Sequence, residues 1–404
     1  MILALALLLA PARADSPDRS RVKGSISEVD GLRVLRVWGT PREQGFAEGY
    51  LAGEDEAKLL DLYLKGQGGA DAAKAYEVAS FMMLSKMKIL PRFKEEMEGM
   101  IEGMQARHVG VVAVLGRPLE YRDLVAVNCI PETVRMGCSS FAVWGDRTKS
   151  GDTIAGRNLD WYENPALKGS QMVVARLAGA DSMSWVSVTW PGFVGCLTGM
   201  NAEGVTLAVH DAPSELATDA GNLTPRGLAL REALECAHAG SAINDMTRVL
   251  RRRTSMVGSN IAVAMPFTGS GPASAVFEYD GVLDDVHGVT VRIGDAKDGG
   301  STTCQVCTNH YRSRASPISC DRYSRLTDAL DGLKHQGKPI DVPTAWTLLR
   351  DVAMSGRVVT YQSVVFEPNR RLMHVAVSAD GRPAMMSKPV TLDVAELLRD
   401  TARP

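Results

Sequence analysis

Met136-Gly137-Cys138-Ser139-Ser140-Phe141-Ala142-Val143-Trp144-Gly145, followed by Gly156-Arg157-Asn158-Leu159-Asp160-Trp161, decides how this chain is read. A residue without a side chain precedes a cysteine that opens an apolar, strand-forming run. A second such run follows and carries an arginine and an aspartate near its end. Between them, Asp146-Arg147-Thr148-Lys149-Ser150-Gly151-Asp152 is dense in turn formers, so the two runs predict a β-hairpin. Folding the chain about Lys149 sets Cys138 roughly opposite Leu159 and Asp160, with Arg157 two residues along the strand. Thiol, guanidinium and carboxylate then share one strand end. Cysteine is the strongest side-chain nucleophile near neutral pH, and a nearby cation raises its thiolate fraction.

Outward from this hairpin the chain changes texture. Upstream, a strand-like run over 32–38 gives way to apolar residues at helical spacing over 43–64, 71–87 and 93–104, with Pro41 placed as a helix N1 residue. Downstream, alternating β-rich runs predict strands over 171–177, 184–190, 193–198 and 205–210. Paired helices follow over 226–239 and 242–253. Strands resume over 260–265, 273–279, 289–293 and 303–308. Helices over 322–333 and 344–354 precede two final strands, 358–366 and 372–377. Blocks of strands alternating with blocks of helices predict an α+β protein with helices layered on antiparallel sheets.

Composition bounds the partners. The 404 residues are 45% hydrophobic and 23% charged, with a formal net charge of −2. Such a chain buries a sizeable core and offers no basic surface for nucleic acid or an anionic membrane. Residues 1–10 form an apolar run too short for a permanent membrane span. Ala12-Arg13-Ala14 then provides a small-residue cleavage site. A signal segment over 1–14 and a secreted or periplasmic location are the expectation, without stable membrane insertion. Seven cysteines are an odd number, which leaves at least one thiol outside any disulfide. Cys304-Gln305-Val306-Cys307 lacks the second pair a zinc site needs and sits in a strand-like run rather than at a helix start. The residues call for no metal.

Gly137-Cys138-Ser139-Ser140-Phe141 with Gly156-Arg157-Asn158-Leu159-Asp160-Trp161 resembles the N-terminal-nucleophile (Ntn) cysteine hydrolases. The resemblance is strongest to the penicillin-forming acyltransferases and more distant to acid ceramidase and the choloylglycine hydrolases. Over the Gly45–Gly53 region and Glu95–Met100 it extends to the acyltransferase pro-region. It implies an αββα four-layer sandwich of antiparallel sheets and a precursor that cuts itself between Gly137 and Cys138. Residues 15–137 would become a helical α chain and 138–404 a catalytic β chain, with the two expected to stay associated. No cofactor is implied.

The resemblance also nominates residues. Gly199-Met200-Asn201-Ala202-Glu203-Gly204 is similar to a relatives' segment whose Asn holds the oxyanion, although Asn and Gly there also suit a plain turn. Asn309 with Arg322 thirteen positions later resembles the catalytic Asn and Arg of acid ceramidase, with Arg325 as a competitor one turn on. A Cys–His dyad using His210 or His310 is the alternative to self-cleavage. The chain lacks a G-x-S-x-G elbow, H-E-x-x-H, a P-loop and a dinucleotide-binding G-x-G-x-x-G after a strand. The expectation is a cysteine amidohydrolase or acyltransferase acting on small-molecule linear amides through Cys138. Arg157 would favour the thiolate, Asp160 would position the amine and Arg157, Asn201 and Asn309 would stabilise the oxyanion, and Arg322 would anchor the carboxylate or polarise the substrate carbonyl. The rivals are a phospholipase B-like ester hydrolase and a self-processing protein that binds a ligand without turnover.

Overall fold

The computed structural model describes residues 19–399 apart from 136, 180–181, 215, 218–221, 282–287, 295–302, 315–319 and 380. The expected signal segment over 1–14 lies outside the described residues. No helix among the described residues is long and apolar enough to cross a membrane.

Strands β1 (Gly24–Val29) and β2 (Leu32–Trp38) form an antiparallel pair. Helices α1 (Pro41–Gly66), α2 (Ala70–Lys86) and α3 (Pro91–Arg107) follow. A capping box opens α1: Thr40 Oγ1 accepts from Glu43 N at 3.3 Å and Glu43 Oε2 accepts from Thr40 N at 2.8 Å, with Pro41 at N1. After a short hairpin of β3 (Val111–Val112) and β4 (Arg117–Pro118), helices α4 (Tyr121–Asn128) and α5 (Ile130–Thr133) lead to the central hairpin. That hairpin is β5 (Gly137–Val143) and β6 (Ile154–Tyr162).

Next come β7 (Met172–Leu177), β8 (Trp185–Thr189), β9 (Thr198–Asn201) and β10 (Thr206–Asp211). Helices α6 (Arg226–Cys236) and α7 (Ala242–Leu250) precede β11 (Ser259–Ala264), β12 (Ser274–Tyr279), β13 (Val289–Arg292) and β14 (Cys304–Cys307). The chain continues through α8 (Asp321–His335), α9 (Val342–Asp351), β15 (Val358–Glu367), β16 (Leu372–Val377), β17 (Val390–Asp393) and α10 (Val394–Leu397).

One sheet has nine strands in the order β1-β2-β7-β8-β9-β10-β11-β12-β13. The other has six, ordered β14-β5-β6-β15-β16-β17. Their facing sides interdigitate: Val34, Val173, Val186, Val188 and Met200 of the larger sheet pack on Ala142, Ala155, Val364, Phe366 and Val375 of the smaller. The opposite face of the smaller sheet (Phe141, Val143, Ile154, Val306, Val365) is covered by Leu326 and Leu330 of α8 and Leu348 and Leu349 of α9. The outer face of the larger sheet is covered by α6 and α7, through Leu230, Leu234, Met246 and Leu250, and by α1 through Ala47. The result is the four-layer αββα sandwich expected from the sequence.

Three departures have physical causes. Among the described strands the pairing is antiparallel except that β2 joins β7 in parallel, so the segment before Cys138 contributes strands to the larger sheet as well as helices. The expected strand over 193–198 is instead a loop, with only Thr198–Asn201 in the sheet. Pro191 has no N–H to give, Gly192 turns the chain at φ +79°, and Asn128 takes the ladder's place. Its Oδ1 accepts from the N–H groups of Val194 and Gly195 at 3.0 and 3.2 Å, and its Nδ2 donates to Gly192 O at 3.0 Å. Edge strands β1 and β17 were not read from the sequence: one face of β1 and alternate residues of β17 are polar or exposed.

Candidate active site

The central hairpin pairs in the register its sequence predicts. Cys138 lies opposite Leu159, Gly137 opposite Asp160 and Ser140 opposite Arg157. Because side chains alternate, Cys138 and Arg157 face the larger sheet, whereas Gly137 and Asp160 belong to the opposite face. Arg157 is buried and held there. Its Nε donates to Thr198 Oγ1 at 2.7 Å, its Nη1 to Asn158 O at 2.8 Å and its Nη2 to Leu197 O at 3.2 Å. The Cys138 thiol is fully buried, and burial pushes it above the ordinary cysteine range. Arg157 pulls it back by charge and hydrogen bond, while the Asp160 carboxylate opposes ionisation. The resting thiol is therefore protonated near neutral pH and needs a base.

On the other face, Asp160 ion-pairs with Arg322 and accepts from Thr360 Oγ1 at 2.6 Å. A β-bulge between Thr360 and Gln362 re-aims that threonine while the rest of β15 stays in register with β6. Arg322 Nη2 also donates to Asn309 Oδ1 at 2.8 Å. The same Oδ1 accepts from the backbone N–H of Cys138 at 2.7 Å. Asn309 Nδ2 in turn donates to the carbonyl of Asp211 at 2.8 Å. A Cβ on Gly137 would lie 3.3 Å from Asp160 Cβ and 3.7 Å from the Arg322 guanidinium nitrogens, so a small residue suits this position.

Five of the six proposed catalytic residues thus converge: Cys138, Arg157, Asp160, Asn309 and Arg322, with Gly137 at the junction. Asn201 does not join them, which corrects its expected role as an oxyanion donor. Both hydrogens of its buried Nδ2 are given to the carbonyls of Leu234 (3.0 Å) and Ala237 (2.7 Å) at the end of α6. Its Oδ1 accepts from Glu203 N and Val205 N, each at 3.0 Å, so all of its bonds hold the turn and helix together. Arg325 is exposed and donates to Asp351 O, which leaves the site to Arg322.

The histidines do not partner Cys138. His210 Nδ1 lies 3.6 Å from Cys307 Sγ and 3.3 Å from Asn260 O, and burial together with Arg157 depresses its basicity. His310 Nδ1 meets Thr308 Oγ1 at 3.0 Å and its ring stands edge-on to Tyr323.

Two site residues carried no signal in the sequence: Thr198 fixes Arg157 and Thr360 fixes Asp160. Asp211 and Asn260, which the sequence reads as network or strand-end residues, hold Asn309 and its loop, and Asp211 supplies the carbonyl that anchors Asn309. Asn260 pins the loop bearing Asn309 by donating to the carbonyls of Thr308 (2.9 Å) and His310 (2.8 Å). Two cavities flank the cysteine's surroundings. One, of about 440 Å³, is lined by Arg135, Asp211, Ser214 and Asn309. The other, of about 60 Å³, is apolar and includes Trp161 and Leu197, which share a core cluster with Cys138.

No family model matches the chain. Among curated proteins it is 24% identical over 188 residues to Protein dcd1B of Dictyostelium discoideum, a match covering 42% of this chain and 36% of that protein. It is 23% identical over 219 residues to an uncharacterized protein of Archaeoglobus fulgidus, covering 48% and 35%. The chain therefore spans about a third of the length of these relatives. Among solved structures it is similar to a Caenorhabditis elegans ortholog of N-acylethanolamine-hydrolyzing acid amidase (TM-score 0.43, 20% identity, 57% of this chain and 93% of that one). It is also similar to a mutant conjugated bile acid hydrolase from Clostridium perfringens (0.43, 13%, 65% and 94%). A third is penicillin V acylase from Agrobacterium tumefaciens (0.41, 16%, 59% and 83%). Two facing sheets enclosed by helices, with a cysteine at the start of an interior strand, make this chain a four-layer αββα sandwich.

Proposed function

We propose that the protein is a cysteine amidohydrolase that matures by cutting its own chain between Gly137 and Cys138, and that it hydrolyses small linear amides through an acyl-thioester on Cys138. The observation that carries this reading is the environment of one backbone nitrogen. The Cys138 N–H is held by Asn309 Oδ1 at 2.7 Å, within a chain of contacts running through Arg322 to Asp160, although it is an ordinary strand amide in the uncut chain. Once the peptide is broken, that nitrogen is an α-amine with a reference pKa of about 8. The same contacts would then orient a base beside a buried thiol that needs one.

In maturation, Cys138 Sγ attacks the Gly137 carbonyl carbon. The C–N bond breaks, the nitrogen takes up the thiol proton, and water hydrolyses the resulting thioester to leave the Gly137 carboxylate. In turnover, the α-amine accepts the thiol proton and the thiolate attacks the substrate carbonyl. The tetrahedral oxyanion is stabilised by Asn309 Nδ2, anchored through Asp211, and the leaving amine takes the proton back. Water, or a second amine in acyl transfer, then releases the acyl group. Arg157 favours the thiolate, and Asp160 fixes Arg322 and the amine.

The test is a panel of N-acyl amides and acyl esters. Amides should be hydrolysed, with at least about a thousandfold loss in Cys138→Ala. Turnover of ester lipids alone would favour the phospholipase B-like alternative. Tight binding without turnover would leave a ligand-binding protein.

A further inference from the structure

The apolar cavity near Cys138 has one discordant wall. Leu59, Leu60 and Tyr63 of α1, Leu124 and Val127 of α4, and Phe193 of the 190–197 loop give it an oily lining, yet Glu56 of α1 stands among them. Glu56 is 4% exposed, and its carboxyl oxygens have no side-chain hydrogen-bond partner; the polar group that reaches them is the backbone N–H of Gly192. The carboxyl rests against Gly192, where an added Cβ would come within 3.2 Å of Glu56 Cδ, so no side chain there can cover it. Arg176, the nearby cation, ion-pairs with Glu48 at 2.6 Å and Glu96 at 2.5 Å.

A carboxyl kept in an apolar wall with only a backbone amide to meet it costs folding free energy, whereas leucine or methionine would fill the space at no such cost. A ligand group that meets it would recover the loss. Burial and the Glu48 carboxylate push Glu56 well above the usual carboxylate range, against Arg176 and the Gly192 amide, which favours a neutral acid with a donor to give. An ammonium would bring three donors to a cavity whose lining side chains hold no acceptor besides Glu56 and Tyr63. A carboxylate would meet the repulsion of Glu48. A neutral acceptor oxygen fits both constraints.

We infer that Glu56 is a specificity residue: it hydrogen-bonds a neutral oxygen at the far end of an otherwise apolar acyl group, so the protein prefers amides of terminally oxygenated acids to those of plain alkyl acids of equal length. The inference rests on Cys138 as the acylated residue, with the acyl chain running into the cavity lined by Trp161 and Leu197, which belong to the same core cluster as Cys138.

The experiment compares matched straight-chain N-acyl amides with and without a terminal hydroxyl. It measures kcat/KM on the wild type, Glu56→Gln and Glu56→Leu, and affinity by calorimetry on Cys138→Ala. The wild type should favour the hydroxylated member by about tenfold or more. Glu56→Gln should retain the preference, and Glu56→Leu should turn it toward the plain alkyl member. A wild type that favours plain alkyl chains or a terminal amine would overturn the inference, as would a preference that survives in Glu56→Leu. Binding preference without hydrolysis would instead sink the catalytic reading and leave Glu56 in its role. Hydrolysis without the preference would do the reverse.

Discussion

Just upstream of Gly137, Glu132 is fully buried and its carboxyl is pushed up to about 7, chiefly by burial, with Arg226 opposing. Arg226 ties it to the site: its backbone N–H donates to Glu132, and its Nη1 pairs with Asp211 at 2.5 Å. An acid whose pKa is higher folded than unfolded holds an extra proton in the native state. Its contribution is complete below the unfolded value of about 4.5 and is lost as pH rises to about 7. Urea unfolding of wild type and Glu132→Gln at pH 5 and pH 8 should show their stability difference moving in favour of Gln by about 2 kcal/mol at the higher pH. An unchanged difference would contradict the assignment. At this scale the hairpin residues were legible because strand pairing fixes register once the turn is found. Asn201 was misread because a turn sequence does not reveal which way an amide points. Its partners, Leu234 and Ala237, lie on a helix distant in sequence. Thr198, Thr360 and Glu56 gain their meaning only from neighbours that the fold brings to them.

Among the elements, α1 and α3 approach closely enough that their backbones nearly touch. A Cβ on Gly49 would sit 2.0 Å from Met100 O, and one on Gly103 would sit 2.2 Å from Phe46 O. Helix propensity alone favours alanine over glycine by about 1 kcal/mol, but a clash with backbone cannot be relieved by rotating a side chain. Gly49→Ala should therefore destabilise by about 1–3 kcal/mol, read as a lower Tm. Gly66→Ala, whose Cβ would meet only Asn164 at 3.7 Å, should be neutral or stabilising. Equal effects would show that the helices can separate at no cost. Strong periodicity made the long helices readable. The loop over 190–197 was not readable as a loop, because its apolar residues line a cavity and its ladder partner is the Asn128 side chain.

Across the whole molecule, the segment before Cys138 is bound to the rest of the chain through a strand and through buried charges. Strand β2 pairs with β7, and a buried ion-pair chain runs from Glu48 through Arg176, Glu96 and Arg231 to Glu235. Removing one member of such a chain strands its partners, a cost of about 3–5 kcal/mol. The same links would keep two cleaved chains together without a covalent bond. The four layers could be anticipated from alternating blocks of strands and helices and from the family resemblance. The parallel junction could not, because no local pattern specifies which distant strand β2 will join. The central claim is that Cys138 becomes a chain terminus, and intact-mass analysis of purified wild type beside Cys138→Ala tests it most directly. The account predicts two wild-type fragments meeting at Gly137/Cys138, copurifying until denatured, and one whole chain in the variant. An active wild-type protein that remains a single chain would contradict it.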